Sequence, residues 1–190
     1  MAILPFGSDA PEEMNIVELL RKDHEKVKML FREFESAADH KQNIVSQAIS
    51  ELEIHAAAEE KVFYPAVLED WQDAAPSINE SFEEHHVMKL LMGELKDMSP
   101  DDERFDAKFT VMAENVKHHI KEEEAELFAR ARTGHLDLVE LGQRLMEAKR
   151  SFHAEQKEEK KKVRAKRKPT VRGAAFKKQT ARKTKKLSAA

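Results

Sequence analysis

Four long stretches in which apolar residues recur at three- and four-residue steps, parted only by short breaks, limit what this chain can fold into. The first runs from about Met14 to Ala38 and aligns Ile16, Leu19, Leu20, Val27, Leu30, Phe31 and Phe34 along one face. The second, from about Asn43 to Trp71, carries Ile44, Ile49, Leu52, Ile54, Val62, Phe63 and Leu68, with Pro65 predicting an end or a kink near Tyr64. A third follows Pro76, with Ser77 placed to cap it, and passes through Phe82, Met88, Leu91, Leu95 and Met98. Ser99-Pro100-Asp101 marks a turn, a fourth helix is expected over about Asp102 to Ala131, and Thr133-Gly134 should stop it. A shorter fifth helix is expected from about Leu136 to Phe152. Helices of this length joined by short turns pack as antiparallel neighbours, so the expected fold is all-α, an up-and-down antiparallel four-helix bundle with a short fifth helix.

Composition removes several kinds of chemistry. With no Cys there are no thiolate nucleophiles, thiolate zinc sites, iron–sulfur clusters or disulfides. Five Gly, six Pro and no long alternating apolar/polar run argue against an all-β fold. The N-terminal MAILPFGSDAPEE has neither a basic nor a sustained apolar region of an export signal, and no segment approaches the roughly 20 apolar residues of a spanning helix. A cytoplasmic protein with no membrane span is expected.

The net charge of −3 hides an asymmetry. Residues 157–190 carry fifteen Lys and Arg against Glu158 and Glu159, so the preceding 156 residues hold a net −16. The expected organisation is an N-terminal extension over 1–13, a bundle with its fifth helix over 14–152, and a basic low-complexity tail over 153–190, disordered or an irregular extension of the fifth helix.

Histidines mark the bundle at corresponding places. In the second helix His55 precedes Glu59 by four residues, and in the fourth His119 precedes Glu123 by four. At about 100° per residue each pair lies about 40° apart on one face and can share a ligand. Both pairs have a further acid at the next position, Glu60 and Glu124, and large apolar residues three and four beyond that. The first helix has a single core-facing histidine, His24, with apolar residues three, six and seven later. The third has His85 with Met88, Leu91 and Met92 at the same offsets, whereas His86 would place Lys89 on the core side. Alone, each of these is the ordinary core histidine or solvated pair. Together, alternating over four helices, they point to a metal site of imidazole nitrogen and carboxylate oxygen in the bundle core. Glu60 and Glu124 are expected to point away from the ligand face into solvent, unless a shifted register makes either a substitute ligand. His118 is read as a surface residue or as one behind the ligands, and His40, His135 and His153 receive no role.

The stretches DHEKVKMLF, EIHAAAEEKVFYP, EEHHVMKLL and KHHIKEEEAELF, with LDLVELGQRL after them, resemble the hemerythrin-like family with its HHE cation-binding domain, over about residues 14–150. The resemblance implies a non-haem diiron centre held by His24, His55, Glu59, His85, His119 and Glu123, with the two acids bridging the irons. It also marks a departure. Oxygen-carrying members have a second histidine one turn after the third-helix one, and this chain has Lys89 there. His86 or another acid is left as a substitute. Six ligands for two irons leave positions open to oxygen, nitric oxide or peroxide, which favours sensing, peroxide handling or iron binding over reversible oxygen carriage; whether the centre turns over stays open. Met88, Met92, Phe63 and Phe128 are expected to restrict water. A ferritin-like oxidase fits less well, since it needs two Glu-x-x-His motifs and only Glu83 with His86 provides one. The basic tail gives a second reading, in which residues 157–190 neutralise phosphates and anchor an iron- or stress-responsive domain to DNA, RNA or another polyanion. A metal-free helical interaction module is the third.

Overall fold

The structure is a computed structural model and describes residues 15–167, with side chains to Lys162. The expected extension over 1–13 and the basic tail beyond Arg167 lie outside the described residues. Seven α-helices are described: α1 (Ile16–Ser36), α2 (Lys41–Ala58), α3 (Tyr64–Asp70), α4 (Ala75–Asp97), α5 (Phe105–Ala125), α6 (Leu127–Thr133) and α7 (Leu138–Arg167). No strand occurs among the described residues. The four long helices are antiparallel neighbours around the core: α1 packs on α2, α4 on α5, α2 on α4 and α1 on α5. Asn15 starts α1 by accepting the Glu18 N–H at 3.0 Å.

Each boundary that differs from expectation has a local cause. The second expected helix is interrupted, because a π-helical turn over Glu59–Phe63 joins α2 to α3, and Pro65, with no N–H to donate, sits in the first turn of α3. Ser77 does not cap α4; it lies inside the first turn, and its hydroxyl donates to Glu126 Oε2. The fourth expected helix starts at Phe105 and breaks at Glu126, whose φ of −105° and ψ of −65° fall off the helical path. Gly134 ends α6 in extended backbone rather than the left-handed conformation, and its lack of a side chain is required by the Trp71 ring lying against it. Helix α7 does not stop near Phe152 but runs to Arg167. The first part of the expected tail is therefore helical, as its Lys, Glu, Ala and Arg content favours.

The packed core ends within α7; residues from Glu155 belong to a separate unit. Two apolar clusters fill the bundle. One gathers Phe31, Phe34, Ile49, Met92, Phe109 and Met112. The other gathers Leu20, Phe63, Tyr64, Ile78, Phe128 and, from α7, Leu145. Each fully buried Leu or Phe contributes about 2–3 kcal/mol on removal from water, which lets the fold hold polar groups between the clusters.

Candidate metal centre

Between the apolar clusters the bundle buries seven polar side chains, and six are the four histidines and two acids singled out in the sequence. His24 occupies the inward stripe of α1 between Leu20 and Val27, and His85 the corresponding place on α4. His55 and Glu59 come from α2 and the π-turn that follows it, and His119 and Glu123 from α5.

The six side chains form two groups that share one acid. His24 Nε2 and His55 Nε2 lie 3.1 Å apart, and His85 Nε2 and His119 Nε2 3.3 Å apart. Glu59, fully buried, stands between the pairs: Oε1 is 3.0 Å from His55 Nε2, while Oε2 is 3.5 Å from His85 Nε2. Glu123 Oε2 lies 3.3 Å from His24 Nε2. His24, His55, Glu59 and Glu123 can each offer a donor atom to a single ion, and so can Glu59, His85 and His119.

A carboxylate behind each imidazole sets which nitrogen faces inward. His24 Nδ1 meets Glu124 at 3.0 Å, His55 Nδ1 meets Asp23 at 3.3 Å, His85 Nδ1 meets Glu60 at 2.8 Å and His119 Nδ1 meets Glu84 at 2.7 Å. A proton held on Nδ1 by these acids leaves the Nε2 lone pair pointing to the centre. Two such lone pairs little more than 3 Å apart repel unless a proton or a metal ion lies between them. All four oxygens of Glu59 and Glu123 are buried without a hydrogen-bond partner, although His55 Nε2 lies 3.0 Å from Glu59 and His24 Nε2 3.3 Å from Glu123. Orphaned buried carboxylates and facing imidazoles together are the donor set of a metal site, and the residues fit one.

Glu60 and Glu124 correct the expectation of solvated acids. Their side chains are 25% and 23% exposed and hold His85 and His24. One residue past the inward acids is about 100° around the helix, which here faces the neighbouring hairpin rather than water. Lys89 does not face the centre: its Nζ donates to Glu60 Oε1 at 2.5 Å. Lys28, in the equivalent place four residues after His24, donates to Glu124 at 3.3 Å, and Lys149 of α7 grips Asp23 at 2.5 and 2.6 Å. His86 is exposed and contributes no donor to the cluster. His118 is exposed and paired with Glu122 at 3.1 Å, and His40, His135 and His153 are exposed.

The electrostatics show the same demand for positive charge. Burial, helped by the charge of His55, pulls His24 down to about 4. Burial would depress His55 too, but Glu59 and Asp23 lift it to about 10. Burial alone would raise Glu59, yet the charges of His55 and His85 hold it well below the usual carboxylate range. Burial and the neighbouring Glu59 push Glu123 up to about 8.

Three residues that contact the histidines were not found by sequence reasoning. Tyr64 is fully buried, with its hydroxyl 3.4 Å from His85 Nε2, and burial next to Glu59 and Glu123 keeps it protonated. Asp23 and Glu84 each immediately precede a core histidine, a repeat visible in DHE and EHH once both are aligned. Phe128 stacks on the His24 ring at 5.5 Å, and Phe63 meets Phe128 edge-on.

Imidazoles and carboxylates converging from facing helices define a cation-binding helical bundle. The sequence matches the family described as Hemerythrin HHE cation binding domain over residues 15–131, and the chain belongs to that family. It is 35% identical over 128 residues to a protein of Nostoc sp. named DNA nickase, an overlap of 66% of this chain and 36% of that protein. The chain thus spans about a third of that relative's length. The crystal structure of a hemerythrin HHE cation binding domain-containing protein from Mycobacterium kansasii shares the fold, with a TM-score of 0.64 at 21% identity over 75% of this chain and 89% of that one.

Proposed function

We propose that this chain holds two iron ions bridged by carboxylate and uses them to bind, sense or react with oxygen, nitric oxide or peroxide. The observation that carries this reading is Glu59, which turns one oxygen to the His24/His55 pair and the other to the His85/His119 pair. His24, His55, His85 and His119 would hold the ions through Nε2, and Glu59 and Glu123 would supply negative charge between them. Bound iron would supply one-electron chemistry and open positions for a small ligand. The protein's own part is positional. Glu124, Asp23, Glu60 and Glu84 fix the four rings, Phe63, Phe128, Met88 and Met92 keep bulk water out, and the Tyr64 hydroxyl keeps a proton beside His85 Nε2. Since Lys89 is engaged with Glu60, six protein side chains remain for two ions, which favours reaction or sensing over saturated oxygen carriage.

The test is anaerobic reconstitution with ferrous iron followed by optical titration with oxygen, nitric oxide and peroxide in turn. About two irons per chain are expected, lost in a His55→Ala/His119→Ala variant, with a spectral response to at least one titrant. A native chain that takes up no iron overturns the reading.

A second reading concerns the basic segment. Residues 157–190 hold fifteen Lys and Arg, and one relative of the bundle carries the name DNA nickase. Here the segment anchors the iron domain to nucleic acid through phosphate contacts. Salt-dependent binding to random duplex DNA, unchanged by metal removal and lost on truncation before Lys157, is the expected result; equal binding by the truncated chain removes this reading.

A further inference from the structure

The four acids behind the histidines are not equivalent. Asp23 carries Lys149, Glu60 carries Lys89, and Glu124 carries Lys28 and Arg21. Among the described residues no Lys or Arg pairs with Glu84. Its surroundings are acidic: a cleft of about 110 Å³ between α4 and the α5–α6 segment is lined by Glu80, Glu84, Glu122 and Glu126, with Glu123 also on its wall. Glu123 is 2% exposed and its two oxygens have no hydrogen-bond partner, so a carboxyl group of the buried centre borders a cleft that opens to solvent. Glu84 and Glu122 of that cleft and the exposed His118 bring one donor atom each to within 4.8 Å of one another.

We propose that this cleft is the route by which a divalent metal ion enters the centre, and that Glu84, His118 and Glu122 form a transient cation site at its mouth. The inference rests on the metal-centre reading above. An incoming cation is repelled at the three corners where lysine or arginine stands and attracted at the fourth, where carboxylates line a narrow low-dielectric cleft and concentrate the field. Two carboxylates and an imidazole suit a first-row divalent ion, and their exposure keeps the site loose enough to release it. Glu84 belongs to both sites, since its other contact is His119 Nδ1 at 2.7 Å. The ion then passes from rim to centre by exchanging one set of oxygens for another, Glu123 being the first buried ligand it meets.

The test is stopped-flow uptake of cobalt(II) by the metal-free full-length chain, followed by the visible absorption of the bound ion. The variant His118→Gln/Glu122→Gln removes the rim site and leaves Glu84 to hold His119. In the parent, the uptake rate should saturate with cobalt concentration, as prior binding at the rim requires. In the variant it should fall about tenfold or more and become linear in cobalt, while the final spectrum and stoichiometry stay those of the parent. A control, Glu103→Gln in the exposed turn between α4 and α5, removes one negative charge as the variant does and should leave the rate unchanged. Uptake by the variant at the parental rate, or equal slowing in the control, overturns the entry route while leaving the centre intact. A parent chain that binds no cobalt removes the metal-centre reading, and the route with it.

Discussion

Glu123 is the residue where stability and function conflict most directly. It is buried beside Glu59 with no hydrogen-bond partner, and its carboxyl is pushed up to about 8. A folded-state pKa above the unfolded value means the folded chain holds a proton that the unfolded chain releases, so stability is lost as pH rises from the ordinary carboxylate range through 8. Glu123→Gln removes that loss. Metal-free variant and parent should unfold alike near pH 5, and at pH 9 the variant should be more stable by on the order of 1–3 kcal/mol. Denaturant melts at the two pH values test this, and a variant less stable at pH 9 contradicts it. The same substitution should lower the bound metal, because a neutral amide is a weaker ligand than a carboxylate.

At the scale of elements, α2 and α5 are both interrupted at or just beyond the inward acids, by the π-turn over Glu59–Phe63 and by the break at Glu126. The π-turn over Glu59–Phe63 adds a residue to the turn, letting Glu59 face the histidines while Phe63 and Tyr64, a turn later, still face the apolar cluster. Deleting the exposed Lys61 removes the extra residue and lets the segment close as regular α-helix, so that Glu59, inside the turn, leaves its place against the histidines. Helical circular dichroism should be kept, and the rise in melting temperature on metal binding should disappear; a variant that keeps the rise shows that the π-turn does not position the site. Gly134 has a different role. Any Cβ there meets the Trp71 ring and Asp70, so Gly134→Ala should cost about 1–3 kcal/mol in a thermal melt with metal binding unaltered. The helices and the inward histidines were legible in the sequence because both depend on period alone: His24, Leu20 and Val27 share a stripe whatever surrounds them. The roles of Glu60, Glu124 and Lys89 were not, because they depend on which helix stands alongside, and an angle around one helix does not name its neighbour. Pro65 signalled a disturbance near Tyr64, but a kink and a π-turn leave the same mark in one sequence.

For the whole molecule, binding must be linked to protons and to folding. At pH 7 His55, lifted to about 10, and Glu123, pushed up to about 8, both hold protons that metal ligation displaces. Loading should therefore release about two protons per chain at pH 7, and affinity should rise with pH up to about 10. Titration calorimetry in buffers of different ionisation enthalpy measures the number; release of none contradicts the assignment. The outer acids link the parts of the fold in a crossed pattern. Glu60, following α2, holds His85 of α4, and Glu124 of α5 holds His24 of α1, while Asp23 and Glu84 each serve the histidine of their own hairpin. Neither hairpin can orient its own full set of rings. A peptide copying residues 53–65 would therefore bind metal no better than any helix with a histidine and an acid one turn apart, and transplanting the site into another bundle requires ten side chains from both hairpins, four imidazoles and six carboxylates, to be moved as one piece.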